Sequence, residues 1–196
     1  MKISQLKKKE AKAFTLIEMI GVLAVIAILA SLLIPKVFEA INNARINNAL
    51  VSYNTVKAAC IDHYAKYGGV ILTTNGTTIG SQTNYYDKQL VQEGFLDKLF
   101  LTKIGTTSWV EVVTGASVFP AGGFDLDGDG NGDTAGSTYI IEAVIQGVAS
   151  SDAKDLNDRL DGATVPFNVT LGADDFHGRV KWSNGVQTAW LYLTHR

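Results

Sequence analysis

Two groups of residues in this 196-residue chain have types and spacings that could do chemistry. The first is Asp125-Leu126-Asp127-Gly128-Asp129-Gly130-Asn131-Gly132-Asp133, four aspartates within nine residues. Carboxylates at alternate positions followed by a glycine match the first half of a calcium loop. On that pattern Asp125, Asp127 and Asp129 supply side-chain oxygens, Gly130 the bend, Asn131 a backbone carbonyl, and Asp133 a direct or water-mediated ligand. Calcium is favoured over magnesium by the number of oxygens and the flexible loop, and zinc is disfavoured because no His or Cys stands among them. The loop departs from an EF-hand at its twelfth position, where Gly136 replaces the bidentate Glu, and Phe119-Pro120-Ala121-Gly122-Gly123 stands where a helix would precede it. A further ligand is then expected from Asp161 or a carbonyl, or the site is weak. The competing reading is a solvated turn held by Asx hydrogen bonds. Four aspartates this close repel one another more than a turn warrants, which favours the ion.

The second is one carboxylate, Glu18, inside an apolar run from Phe14 to Ile34. An acidic side chain in a membrane helix costs roughly 2.5–3.5 kcal/mol on insertion scales. Its place in the first turns of the helix softens that cost, since the dipole there favours negative charge. A plain signal anchor has no need of it. A secretory signal has a shorter apolar core ending in an A-x-A-like site. Here the run is about 20 residues, long enough to span a bilayer, and Ala24, Ala27 and Ala30 are three apart. Lys7, Lys8, Lys9 and Lys12 precede it, and positive charge flanking a span stays cytoplasmic.

This constellation resembles type IV pilin-like proteins, the pilins and the pseudopilins of type II secretion systems. The residues that carry the resemblance are the basic leader, Ala13 before Phe14, Thr15-Leu16-Ile17-Glu18-Met19 after it, and Pro35. The family usually has glycine where Ala13 stands. The resemblance implies that a prepilin peptidase cuts between Ala13 and Phe14 and methylates the new amino terminus. It implies that Glu18 pairs with the amino terminus of a neighbouring subunit during assembly, and that the partners are identical or related pilin-like subunits, the inner membrane and the secretion or pilus machinery. The expected function is a structural subunit of a type II secretion pseudopilus or type IV pilus. The alternative is a low-copy minor pilin or a membrane-tethered calcium-dependent adhesin. The expected location is the bacterial inner membrane, single-pass, with the leader cytoplasmic and the rest periplasmic or extracellular.

Other chemistry is thinly represented. No serine, cysteine or lysine lies in a nucleophile motif, so no enzyme is expected. His63 reads as a surface or groove residue, and Asp174-Asp175-Phe176-His177 as a polar turn. Cys60 has no partner for an internal disulfide and reads as a small buried apolar group. The net charge of −2 conceals an asymmetry: without the leader the chain carries twelve basic against eighteen acidic residues. A domain so acidic is a poor candidate for phosphate-neutralising nucleic-acid binding.

The elements that must position these residues follow from periodicity. The expected fold is α+β, a long N-terminal helix packed on a small antiparallel sheet. Its parts are a leader, 1–13, a transmembrane and assembly helix, 14–35, an amphipathic continuation, 36–68, and an exported domain, 69–196. Pro35 removes a backbone donor and marks the joint. Beyond it Ile46, Leu50, Tyr53, Val56, Cys60, Tyr64 and Tyr67 recur every three or four residues, one face of a helix that Gly68-Gly69 stops. Val70 to Tyr86 reads as a surface connection and Asp87 to Phe100 as a short packing element. Strands are expected at Ser108–Val113, Tyr139–Val148 and Phe167–Leu171. A helix is expected at Ala153–Leu160, capped from Ser150-Ser151-Asp152. A hairpin is expected over 179–193, turning at Ser183-Asn184-Gly185 with positive φ.

Overall fold

The computed structural model describes residues 14–69, 83–113, 123–129, 131–137, 139–162, 165, 167 and 174–195, together with the strand backbones at 73–74 and 77–78. The chain divides into two compact units, one ending at Asn42 and one spanning Asn43–Arg196.

Helix α1 runs Leu16–Tyr67 with Pro35 inside it. In the first unit its large apolar side chains, from Leu16 to Ile41, are exposed. In the second unit one stripe turns inward: Ile46, Ala49, Tyr53, Val56, Ala59, Cys60 and His63 are buried. The periodicity therefore holds as far as Cys60 and then drifts. Tyr64 and Tyr67 are exposed, and His63, expected at the surface, lies in the core. An α-helix advances 100° per residue, so 56, 60 and 63 stay on one face while 64 turns off it; Tyr67 returns to that face but is the last residue of the helix. Gly68 adopts φ +72, and its N–H donates to the Tyr64 carbonyl at 2.8 Å, closing the helix.

The stripe packs on an antiparallel sheet. Its strands are β3 (Thr83–Asn84), β4 (Thr107–Val113), β5 (Ile140–Gln146), β6 (Val180–Ser183) and β7 (Thr188–His195), in spatial order β3-β4-β5-β7-β6. A separate two-stranded pair, β1 (Thr73–Thr74) and β2 (Thr77–Thr78), lies in the segment expected to be only a surface connection. Val110, Val112, Ile141, Ala143, Ile145, Leu191 and Leu193 meet α1. Each such fully buried aliphatic side chain contributes about 1.5–3 kcal/mol. The opposite face holds Val113, Ile140, Val144 and Trp190 under Phe124. Strand β5 is thus buried on both faces, which is why its sequence is apolar from Ile140 to Ile145 apart from Glu142 rather than alternating. A bulge between Ile141 and Glu142 leaves Leu193 of β7 as the extra residue.

The short helices differ from expectation in their boundaries. Helix α2 spans Tyr86–Gln92, and the chain from there to Phe100 is irregular. Helix α3 spans Ser150–Leu160, so the serines lie inside it, and Ala149 occupies the cap position in extended backbone with no side-chain cap bond. It is tied to α1 by Arg45, 3.6 Å from Asp152, and by Arg159, which donates to Asn43 and Asn47. The C-terminal hairpin turns through four residues, 184–187, and its positive φ falls on Gln187 rather than on Asn184 or Gly185. Four-residue loops are built around a type I turn, whose first residues keep φ negative. Most of the strand expected at Phe167–Leu171 lies outside the described residues.

Candidate functional site

At the start of α1, Thr15 and Glu18 engage each other. The Thr15 N–H and hydroxyl both donate to Glu18 Oε2 at 2.8 Å, and the Glu18 N–H donates to Thr15 Oγ1 at 3.3 Å. This is a capping box, Thr-x-x-Glu, which satisfies helix-terminal donors that would otherwise lack partners. The spacing is legible in the sequence once Thr15 is read as a cap; reading Glu18 only as a lone charge conceals it. Phe14 is exposed. Ala13 and the rest of the leader lie outside the described residues. The most apolar 18-residue window of α1 has a mean hydropathy of 2.7 with none of it buried. That is long and apolar enough to cross a membrane.

The acidic loop is rooted in the second core. Gly123 sits at φ +81, where a Cβ would meet the Ala135 N at 2.5 Å and the Thr134 Oγ1 at 2.6 Å; only glycine fits. The Phe124 N–H donates to Thr134 Oγ1 at 2.6 Å, and the Phe124 ring is fully buried. Lys181 holds the root from below. It is buried in β6, donates to the Gly123 carbonyl, and its Nζ lies 4.6 Å from the Phe124 ring centroid. Burial pushes its pKa down to about 8, against the opposing pull of Glu142 and Asp125. Glu142, on the same face, is pushed well up by burial and then by the Glu111 carboxylate across the strand pair. Neither Lys181 nor Glu142 was legible as buried, because charged residues in a strand read as solvent-facing.

Asp125 is buried, and its backbone bridges to Gly178. Its Oδ1 accepts from the N–H groups of Gly128 at 2.7 Å and Asp129 at 3.1 Å. Asp133 Oδ2 accepts from Leu126 at 2.7 Å and Asp127 at 3.3 Å. Asp125, Asp127 and Asp133 each present an oxygen, all within 4.8 Å of one another. Asp129 turns instead to Asn131, accepting from its side-chain amide at 3.1 Å and its N–H at 2.7 Å. Those bonds hold the Asp129 carboxyl below the usual range. Gly128, at φ +81, makes a bend within the loop, and Gly130 lies outside the described residues. Asp161 is occupied elsewhere, its Oδ2 accepting from the Arg179 and Val180 N–H groups at 2.9 and 3.2 Å.

Three convergent carboxylates form an all-oxygen donor set. Oxygens within 4.8 Å of one another are no farther apart than the about 5.2 Å that two ligands on opposite sides of an ion at 2.3–2.6 Å can span. The residues therefore fit a calcium ion. They equally show the Asx bonds of a stable turn.

Residues 8–34 match the family model described as the prokaryotic N-terminal methylation motif. No curated protein and no solved structure matches the chain. The matched segment covers the leader lysines from Lys8, the Ala13–Phe14 junction, Glu18 and the apolar run, and through it the N terminus is similar to those of type IV pilin-like proteins. Motif and apolar helix together fit membrane anchoring.

Proposed function

We propose that this chain is a structural subunit of a pilin-like filament, inserted in the inner membrane by α1, cut between Ala13 and Phe14, and assembled through the same helix. The observation that carries the reading is the methylation motif laid over Glu18 in an otherwise apolar, wholly exposed helix segment. A prepilin peptidase, related subunits and the assembly machinery are then its partners, and its role is structural rather than catalytic. In the membrane Glu18 has an intrachain partner in Thr15. Cleavage creates an ammonium on Phe14, and packing of subunits offers that group to a neighbour's Glu18. The acidic loop and the lone cysteine favour a secretion pseudopilus over a surface pilus. Calcium held by Asp125, Asp127 and Asp133 would neutralise their mutual repulsion and stiffen the loop over the outer sheet face. A minor, tip-located subunit or calcium-dependent adhesin is the second reading, and retention of Glu18 disfavours a tip position.

The test is filament yield from cells carrying Glu18→Ala. Membrane level of the subunit should be unchanged, because removing a charge from an apolar helix favours insertion. Assembly should fail, since a neighbouring ammonium left buried without its counter-charge costs typically about 3–5 kcal/mol. Normal filament yield would refute the assembly role.

A further inference from the structure

His63 lies in the second unit, on the buried stripe of α1, and each of its ring nitrogens has a polar neighbour. Nδ1 is 3.1 Å from the Tyr86 hydroxyl, at the first residue of α2. Nε2 is 2.9 Å from Glu93 Oε2, one residue past the end of that helix. Gln89 Nε2 donates to the other Glu93 oxygen at 2.9 Å. Tyr67 and Phe95 wall the imidazole, with ring centroids at 4.9 and 5.2 Å. One residue of α1 thus grips both ends of the seven-residue α2.

A neutral imidazole suits this arrangement, having one N–H and one lone pair. The Tyr86 O–H donates into Nδ1, and Nε2 lies within ion-pair distance of the Glu93 carboxylate, off the angle of a hydrogen bond. A second proton, on Nδ1, would confront the hydroxyl hydrogen across 3.1 Å. The hydroxyl would have to turn, and among the described residues it has no other hydrogen-bond partner. The charges facing the ring divide between the two elements. From α1 come Cys60, a neutral thiol that burial pushes up to about 12, and Lys66, whose ammonium lies 5.1 Å from the centroids of both Tyr67 and Phe95. Lys66 opposes a second positive charge. From α2 and the residue after it come Tyr86, Asp87 and Glu93. Asp87 accepts from the Phe100 N–H at 3.1 Å. Glu93 favours an imidazolium, but its side chain is 27% exposed and water screens it. Burial wins, and the His63 pKa lies below the ordinary histidine value.

We propose that the Tyr86–His63–Glu93 clamp is an acid-released latch, fastening α2 to α1 while His63 is neutral and letting go when His63 takes a proton. The released state has a histidine of ordinary pKa, about 6.5. The latched state takes its proton less readily. Latching is therefore complete above that value and is lost as pH falls below it. Asp87 and Glu142, whose carboxyls burial pushes up, act with the opposite sign, adding stability at low pH and losing it as pH rises. The chain leaving α2 passes through Phe95 into Leu96–Phe100, one wall of a cleft of about 140 Å³ whose other wall includes Asn48, Val51 and Ser52 of α1. Release of the latch frees that wall as well.

Hydrogen exchange of the full chain in detergent micelles, read on peptides covering 86–95 at about pH 7 and about pH 5 and corrected for intrinsic rates, tests the latch. The wild type should lose about tenfold protection in α2 on acidification while β5 and β7 keep theirs. His63→Gln should show no such pH dependence. Tyr86→Phe, which clears Nδ1 to accept a proton, should move the midpoint of the loss upward in pH. Equal protection at both pH values in the wild type, or an undiminished acid loss in His63→Gln, overturns the proposal. If His63→Gln exposes β5 and β7 by misfolding, the Tyr86→Phe midpoint decides, and an unmoved midpoint overturns it.

Discussion

At the scale of single residues the protein hides its charges in two different ways. Glu18 sits in an exposed apolar segment and is satisfied by its own cap, Thr15. Glu142 sits under the outer sheet face with its carboxyl pushed well up by burial and then by Glu111, against the pull of Lys181. The linkage sign for Glu142 is fixed by that raised pKa. The folded state keeps a proton that the unfolded chain gives up above about 4.5, so this residue's contribution to stability falls as pH rises. Glu142→Gln keeps a neutral side chain of the same shape and removes the dependence. Thermal or denaturant unfolding at pH 5, 6 and 7 should therefore show a variant that gains on the wild type as pH rises. A constant difference between the two across that range would mean that Glu142 is ionised in the fold. Glu18→Gln makes the corresponding distinction in the apolar N-terminal segment. It keeps an acceptor for Thr15 but not the charge, and it should assemble nearly as poorly as Glu18→Ala in a filament-yield assay.

At the scale of elements, legibility in the sequence tracked how local the determining physics was. The long helix and strands β4, β5 and β7 follow from apolar periodicity and β-branched runs, which act within a few residues. The α+β arrangement followed from them. His63 could not be placed, because its burial depends on α2 covering the end of α1, a contact made across 23 residues to Tyr86. Lys181 was hidden for the same reason: its charge is tolerated only because the Gly123 carbonyl and the Phe124 ring return to it from 58 and 57 positions away. Asn184-Gly185 misled because a four-residue turn moves positive φ to its last position. In the acidic loop the aspartate spacing was visible. The turning of Asp129 toward Asn131 was not, since it depends on the loop's bend bringing the Asn131 amides to that carboxylate. That turn bears on a prediction. Calcium bound only to the folded state stabilises by about 2.7 kcal/mol at a hundredfold excess over Kd. The detergent-solubilised chain should melt higher in calcium than in chelator. Asp127→Ala with Asp133→Ala should abolish the difference, and Asp129→Ala should retain most of it. Identical melting of the wild type in calcium and chelator would leave the loop as a turn held by its Asx bonds.

At the scale of the whole molecule, the two units carry different demands. The second buries a core on both faces of its sheet and accounts for its own stability. The first buries almost nothing, and its exposed apolar side chains from Leu16 to Ile41 require a lipid or protein environment. A filament whose subunits join head to tail through such helices is open-ended, growing by repetition of one heterologous contact. On the proposed route, entry into that assembly begins with the loss of the leader, which would strip five lysines from the N terminus and leave the ammonium on Phe14 four residues from Glu18. Everything proposed for Glu18 depends on that cut. Intact-mass measurement with N-terminal sequencing of the protein recovered from the membranes of its own cells therefore tests the account most directly. The account predicts a chain beginning at Phe14 and carrying one methyl group on its amino nitrogen. A mature chain that retains Met1, or one that begins beyond Ala30, would contradict it.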